Sequence, residues 1–200
     1  MNRALFLGFI LLCPLLFAAD PKPAQVRLRT ELGDIEIEVD TVHAPVTAQN
    51  FLNYVSKGFY DGGTFYRTVT MQNQPQNKVK IEVIQGGNRD REKEDLPAIP
   101  LERTNKTGLK HLDGTISMAR GEPDSATSEF FICIGDQPEL DFGGKRNPDG
   151  QGFAAFGKVV KGMDVVRKIQ QSAAEGQSLK PEIKILAARR FAVVTMVPVP

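Results

Sequence analysis

Short apolar segments separated by turn residues run through most of this chain, and they restrict its possible folds more than any other feature. Each of these segments is bounded by Gly, Pro, Asn or Asp. They cover residues 64–69, 79–84, 114–119, 130–134 and 153–160, and residues 183–191 have the pattern of a closing strand. Many short strands with turn residues between them are typical of all-β barrels and sandwiches. We therefore expect a mainly β domain.

Two further patterns add a hairpin and two helices. Residues 26–39 alternate between apolar and polar side chains with Gly33-Asp34 in the middle, which predicts a β-hairpin with one buried face. Apolar residues recur at helical spacing in residues 48–55, after Pro45 and before Gly58, where a helix can begin and end. Residues 163–169 repeat the helical spacing. The expected architecture is about eight strands and two helices in one domain.

The N-terminal segment differs from the rest of the chain and predicts export. Arg3 precedes an almost wholly apolar run over residues 4–17, which is the layout of a secretory signal peptide. The run is shorter than the roughly 20 residues that a membrane-spanning helix needs, so a retained membrane anchor is the weaker interpretation. We assign residues 1–19 to a signal peptide, 20–25 to a linker, 26–192 to one folded domain and 193–200 to a C-terminal tail. The expected location is outside the cytoplasm, periplasmic or secreted, with no membrane span in the mature protein.

The balance of charges and the cysteine count narrow the possible partners and the source of stability. The chain has 25 Lys and Arg residues against 24 Asp and Glu residues, so no net charge attracts it to nucleic acid or to anionic lipid. A peptide or protein partner fits this balance better, and we expect a monomer. Of the two cysteines, only Cys133 lies outside the leader, so the mature chain cannot form an intramolecular disulfide. Its stability must come from a hydrophobic core.

Five blocks of the sequence resemble the cyclophilin family in their order and spacing. They are Phe65-Tyr66-Arg67, Gln85-Gly86-Gly87, residues 114–119, residues 128–132 and residues 156–159. The resemblance implies a closed eight-stranded antiparallel β-barrel capped by two α-helices, and a site on its outer face that needs no cofactor or metal. It also implies peptidyl-prolyl cis-trans isomerase activity on proline-containing segments of unfolded or folding proteins. The short chain and the Gly- and Asn-containing loop 141–152 favour a bacterial, exported member.

The resemblance further implies which residues form the site. Arg67 matches the catalytic arginine of the family, and Gln85 matches its active-site glutamine. Phe131 matches the aromatic floor of the proline pocket. The other positions expected to bind the substrate are Val83 and Leu140 as apolar walls, then Ala119, Arg120, Glu129 and Phe153.

Some positions depart from the family pattern and leave a second function open. Where the family usually has Phe-Met-x-Gln, this chain has Glu82-Val83-Ile84-Gln85, so we expect one aromatic wall of the pocket to be missing. Glu129 replaces a usual glutamine. The alternative function is a non-catalytic peptide-binding module or holdase chaperone on the same fold. The polar loop 70–77 connects the segments of Arg67 and Gln85, so we expect it to border the site.

The chemistry of proline isomerisation explains why an arginine is needed. Amide resonance opposes rotation with a barrier of about 18 to 20 kcal/mol. At the twisted transition state the nitrogen regains its lone pair, so a donor placed over it binds that state better than either planar form. Arg67 can supply this donor without proton transfer, because a guanidinium stays charged. His43 and His111 are isolated in the sequence, which disfavours covalent nucleophilic catalysis.

Overall fold

The alternating segment near the start of the domain forms a hairpin. The structure is a computed structural model that describes residues 23–192, so the assigned leader and tail lie outside the described residues. Strand β1 (Ala24–Thr30) pairs with β2 (Gly33–Val39) in antiparallel register. The turn is Glu31-Leu32, and the predicted turn at Gly33-Asp34 is wrong by two residues. Gly33 pairs with Thr30 at a φ of +133°, a conformation that glycine adopts easily.

Eight strands close into an antiparallel barrel, which confirms the predicted architecture. The remaining strands are β3 (Thr64–Val69), β4 (Val83–Gly87), β5 (Thr115–Met118), β6 (Phe130–Cys133), β7 (Ala154–Lys161), β8 (Ala174–Glu175) and β9 (Ser178–Phe191). Around the barrel the order is β1-β2-β7-β5-β6-β4-β3-β9, and β9 pairs with β1 to complete the ring. The two-residue β8 pairs only with β9 and lies outside the ring. Closure pairs every barrel strand on both sides and so leaves no exposed sheet edge.

Two amphipathic helices cover the barrel, as the sequence predicts. Helix α1 (Pro45–Ser56) packs against β7 and β9, and α3 (Met163–Gln170) packs against β2, β3 and β4. A single helical turn, α2 (Thr104–Thr107), and two 3-10 segments, Arg89–Glu94 and Pro138–Leu140, lie in the connections. None of the helices between residues 23 and 192 has the length and apolar character needed to cross a bilayer.

The interior of the barrel is filled by side chains from the inward faces of the strands and from both helices. Phe130 is fully buried there and makes edge-to-face contacts with Tyr60 at 5.3 Å and Phe65 at 5.8 Å between ring centroids. Phe51 of α1 joins the same group at 5.7 Å from Phe130. Burying one such ring contributes about 1.5 to 3 kcal/mol. This interior fixes the strands whose outer faces carry the candidate site.

A second, smaller apolar cluster lies on the outer face of the barrel. It consists of Val69, Ile81, Val83, Phe131, Cys133 and Leu140. Side chains alternate along β6, so Phe130 points inward and Phe131 outward, as expected. Both faces of β6 are buried, because the chain from residue 134 to 153 covers its outer side.

The predicted strand at residues 79–84 begins later than expected. Strand β4 starts at Val83, and residues 78–82 form no strand. The physical reason is the buried side chain of Gln74, whose Nε2 donates to the Ile81 carbonyl at 2.6 Å and whose Oε1 accepts from the Ile81 N–H at 3.4 Å. This amide takes the place of a neighbouring strand, so the main chain at Ile81 is satisfied outside the ladder.

Candidate active site

A β-bulge in β3 sets the direction in which Arg67 points. Phe65 pairs with Gly86 and Arg67 pairs with Gln85, so Tyr66 is an extra residue opposite a single step of β4. Side chains alternate along a regular strand, and without the bulge Arg67 would share the inward face of the buried Phe65. The extra residue therefore places Arg67 on the outer face.

Lateral register brings three expected site residues and Ser117 into one row across the sheet. Arg67 of β3 pairs with Gln85 of β4, Gln85 pairs with Phe131 of β6, and Phe131 pairs with Ser117 of β5. Neighbouring strands lie about 4.8 Å apart, so side chains in such a row contact each other on one face. Residues separated by as many as 64 positions in the sequence thus become neighbours, as Arg67 and Phe131 show.

The guanidinium of Arg67 is held on two sides by glutamine side chains. Its Nη1 donates to Gln85 Oε1 at 2.8 Å, and its Nε and Nη2 donate to Gln177 Oε1 at 3.0 and 2.7 Å. These three bonds fix the plane of the fork. Of the five N–H groups of an arginine, two remain for a bound peptide.

The electrostatic surroundings of Arg67 combine partial burial with one nearby acid. Burial lowers the pKa of the guanidinium, while Tyr66 and Glu129 oppose that change. Burial also raises the pKa of the Tyr66 hydroxyl well above its ordinary value. Arg67 therefore carries its charge in a site where water screens it less than on the open surface.

The amide of Gln85 is fully committed to its neighbours. Its Oε1 accepts from Arg67, while its Nε2 donates to the Tyr66 hydroxyl at 2.6 Å and to Glu129 Oε2 at 3.1 Å. Glu129 thus supplies an acceptor at this position, and its charge fits the network of hydrogen bonds. This arrangement makes Gln85 a residue that orients Arg67.

Most of the residues expected from the sequence line one cavity of about 260 Å³. They are Arg67, Val83, Gln85, Ala119, Arg120, Phe131, Leu140 and Phe153, while Glu129 lines an adjoining cavity of about 550 Å³. Phe131 forms the floor, with the Phe153 ring edge-to-face at 5.3 Å. Ile81 completes the apolar wall where an aromatic side chain was expected to be missing.

The side chain of Arg120 is buried and forms structural contacts with the neighbouring loops. Only 1% of it is exposed, and it forms a two-point ion pair with Asp149 at 2.8 and 3.1 Å. It also donates to the Gly152 carbonyl through Nε at 2.9 Å and Nη2 at 2.6 Å, with its guanidinium carbon 5.1 Å from the centre of the Phe153 ring. Arg120 therefore joins the two loops that flank the cavity.

Three residues that line the cavity, Ile81, Arg146 and Asn147, were not expected from the sequence, and neither was Gln177, which bonds to Arg67. Arg146 lines the cavity from the loop 141–152, and Gln177 reaches Arg67 from the turn between β8 and β9. The loop 70–77 touches both, because Gln74 accepts from Arg146 and the Asn73 carbonyl accepts from Gln177 at 3.3 Å. The loop thus contacts the partners of the site, in agreement with the hypothesis that it borders it.

A buried Asp-His-Ser arrangement lies beneath the floor of the cavity. His111 Nδ1 is 2.8 Å from Asp141 Oδ1, and His111 Nε2 is 3.0 Å from Ser117 Oγ. The His111 ring stacks on Phe131 at 5.9 Å between centroids. Neither His111 nor Ser117 has any exposed surface, so no substrate reaches the hydroxyl. The trio supports Phe131, and no spacing in the sequence reveals it.

Comparisons with known proteins agree with this geometry. A family profile described as "Cyclophilin type peptidyl-prolyl cis-trans isomerase/CLD" matches residues 25–190. "Peptidyl-prolyl cis-trans isomerase A" of Dickeya dadantii is 41% identical over 152 residues, which cover 75% of this chain and 73% of that protein. "Peptidyl-prolyl cis-trans isomerase B" of Escherichia coli is 38% identical over 155 residues, or 76% of this chain and 87% of that protein.

The fold is also similar to that of solved structures. A Cryptosporidium parvum cyclophilin-type peptidyl-prolyl cis-trans isomerase, crystallised in the presence of the dipeptide Ala-Pro, superposes with a TM-score of 0.68. The two chains are 21% identical, and the match covers 84% of this chain and 99% of the other.

Proposed function

The chain belongs to the cyclophilin-type peptidyl-prolyl cis-trans isomerases, and from this premise we propose how and where it acts. It turns X-Pro bonds of exported, folding proteins in the cavity floored by Phe131, with Arg67 as the group that stabilises the twisted amide. The observation that carries this assignment is the row of Arg67, Gln85 and Phe131 across β3, β4 and β6. It places a charged donor beside an apolar floor.

Arg67 acts on the electronic part of the barrier. Two N–H groups of Arg67 are not used by its glutamine partners, and they can donate to the amide nitrogen as it becomes pyramidal. A donor that is already oriented loses little entropy when the transition state forms, and its bond strengthens only in that state. Losing one such preorganised donor costs about 2.7 to 4 kcal/mol, or roughly two to three factors of ten in rate.

The apolar floor acts on the position of the proline ring. Phe131, Leu140 and Val83 are at most 5% exposed, and they present a rigid surface because they pack with the other members of the outer apolar cluster. A proline ring that settles on this surface leaves water together with its amide. Because the ring is held while the preceding residue turns, the amide nitrogen stays in position relative to Arg67.

The substrates we infer are proline-containing segments of unfolded or folding chains. The solved Cryptosporidium parvum structure was obtained in the presence of Ala-Pro, which supports a proline-containing peptide as the ligand of this cavity. The cavity lies on the outer face of the sheet, so a segment in the middle of a long chain can reach it.

Export rests on the N-terminal sequence. Arg3 and the apolar run 4–17 support cleavage near residue 19 and release outside the cytoplasm. Fractionating cells that express the full chain, followed by mass spectrometry of the product, tests this. A mature protein that begins near Asp20 in the periplasm or medium is expected; a full-length cytoplasmic protein would overturn the proposed location.

The decisive test of the mechanism compares three variants in a cis-to-trans assay on a short X-Pro peptide. Arg67→Ala is expected to lower kcat/KM by about 100- to 1000-fold, because the oriented donor is gone. Arg67→Lys keeps the charge but not the planar fork, and an intermediate rate is expected. Arg29→Ala is the control, since Arg29 lies on the exposed side of β1 and does not line the cavity. A rate unchanged by Arg67→Ala would contradict the mechanism.

The same assay separates the isomerase from a non-catalytic peptide-binding module. An isomerase accelerates exchange when it is present in far smaller amounts than the peptide. A holdase protects a client only near equal concentration. Glu129 replaces a usual glutamine of the family but still accepts a hydrogen bond from Gln85. Because the bonds that orient Arg67 are therefore intact, this observation favours the isomerase over the non-catalytic binding module.

A further inference from the structure

Arg146 is a second arginine at the proline cavity, and it reaches the cavity from the loop 141–152. Its Nη1 donates to Gln74 Oε1 at 2.9 Å and to the Val79 carbonyl at 2.7 Å. Its main-chain N–H donates to the Glu139 carbonyl at 3.1 Å. Among residues 23–192, no carboxylate lies within ion-pair distance of its guanidinium.

The lining of the proline cavity carries an excess of positive charge. It includes Arg67, Arg120 and Arg146 and no Asp or Glu. The charge of Arg120 is balanced by its two-point ion pair with Asp149. Arg67 and Arg146 donate only to glutamine side chains and a main-chain carbonyl within the described part of the chain. Two cations therefore face the same small volume with neutral partners only.

Partial burial makes these two cations receptive to an anion. Burial lowers the pKa of the Arg146 guanidinium, and the charge of Arg67 lowers it further. Glu129 is the acid that opposes the corresponding change at Arg67, but it lines the adjoining cavity and bonds to Gln85. Repulsion between two like charges in a partly desolvated volume is relieved when a carboxylate binds between them.

We propose that Arg146, with the charge of Arg67 nearby, forms a carboxylate subsite beside the proline cavity and makes the enzyme prefer substrates with an acidic group next to proline. This inference rests on the proposed function of the cavity. The acidic group is either the side chain of an adjacent Asp or Glu or the terminal carboxylate of a chain that ends in proline. Both present two coplanar oxygens, which an arginine binds with parallel N–H groups.

The test measures isomerisation of matched peptides by NMR exchange, which needs no chromophore after the proline. One series carries Glu, Gln or Lys directly before or directly after the proline. A second series ends in proline, either with a free carboxylate or as the amide. For the wild-type protein, kcat/KM is expected to be about five- to tenfold higher for the acidic peptide than for its neutral partner, the size of a half-buried ion pair. The difference is expected mainly in KM, because the carboxylate is bound equally in ground and transition states.

Two substitutions in one loop separate the subsite from a general effect of charge. Arg146→Gln keeps an amide donor for Gln74 and Val79 but removes the charge. The kcat/KM for acidic and neutral peptides is then expected to be equal. Lys145→Gln removes the same charge from the neighbouring exposed residue, which does not line the cavity, and the preference is expected to stay. Should Arg146→Gln unfold, Arg146→Lys keeps the charge but removes the planar fork, and the acidic preference is expected to fall below that of the wild type while Lys145→Gln leaves it unchanged.

Each outcome decides between the possible interpretations. Equal kcat/KM for acidic and neutral peptides in the wild type, or a preference that survives Arg146→Gln, would overturn the subsite. A preference in the first peptide series alone assigns it to acidic side chains, and one in the second series alone assigns it to terminal carboxylates. If no peptide is isomerised at all, the proposed function fails. In that case NMR titration of the same peptides still tests the subsite, as tighter binding of the acidic member.

Discussion

Removing Gln177 tests whether the orientation of Arg67, rather than its charge alone, drives isomerisation. Gln177 Oε1 accepts two of the three internal bonds of the guanidinium, at 2.7 and 3.0 Å, while Gln85 accepts the third. A hydrogen bond to a charged group contributes about 1.5 to 3 kcal/mol, but water can reach the half-buried Arg67 and replace part of that. We expect Gln177→Ala to raise the barrier by about 1 to 2 kcal/mol, or roughly 5- to 30-fold in rate.

The assay that checks this is steady-state isomerisation of one neutral X-Pro peptide, with kcat and KM determined separately. The loss is expected in kcat, because the fork is needed mainly in the transition state. Glu175→Ala is the matched control, since Glu175 directly precedes the same turn at the end of β8 and its side chain forms an ion pair with the exposed Lys180. Combining Gln177→Ala with Arg67→Ala should cost no more than Arg67→Ala alone, because the glutamine acts through the arginine.

A full rate for Gln177→Ala, with unchanged circular dichroism and melting temperature, would refute this reasoning. It would mean that Gln85 alone orients Arg67. A loss confined to KM would instead place Gln177 in peptide binding, and an equal loss in Glu175→Ala would point to the turn as a whole.

Three further expectations follow from the cavity and from the residues beneath it. Phe131→Ala should lower the free energy of unfolding by about 3 kcal/mol in denaturant melts and raise KM in the kinetic assay. An unchanged KM would mean that the floor plays no part in binding. Burial raises the pKa of the Cys133 thiol well above its ordinary value, so peptide mapping should show no alkylation of Cys133 in the folded protein and full alkylation in denaturant. Burial raises the pKa of the Asp141 carboxyl, but the hydrogen bonds and charge of His111 outweigh it, and the folded pKa lies below the ordinary 3.8. This group therefore stabilises the fold above that value and ceases to do so as pH falls through its lowered pKa. Asp141→Asn should therefore weaken the acid dependence of the melting temperature below pH 3.8, and an identical pH profile would argue against this.

Local sequence patterns were enough to predict the elements whose shape depends on local forces. Strand β3 begins and ends at the predicted residues, and α1 lies between Pro45 and Gly58. Alternation also placed Phe130 inside and Phe131 outside, because period two is a property of any strand. The row of Arg67, Gln85 and Phe131 could be expected only through resemblance, since lateral register is set by pairing partners far away in the chain.

The features that were missed arise from contacts between distant loops. Gln177 and Arg146 lie 110 and 79 positions after Arg67, in turns with no periodic pattern, and only the closed barrel brings them to it. The late start of β4 has a similar cause, because the partner that ends the strand pattern at Ile81 is the side chain of Gln74. Side chains that replace a neighbouring strand leave no trace in hydrophobic spacing.

The bulge at Tyr66 makes the site sensitive to the pairing register of β3. Arg67 faces the substrate side because an odd residue is inserted between it and Phe65, and β4 has no matching residue. If Tyr66 paired with Gln85 in regular alternation, Arg67 would pair with Ile84 and turn toward the fully buried aromatic interior, where an uncompensated charge is strongly disfavoured. Deleting Tyr66 would remove the bulge but leave Arg67 directly after Phe65, so the guanidinium would stay on the outer face. With Tyr66 in place, the pairing register of β3 therefore decides which face of the barrel carries the arginine.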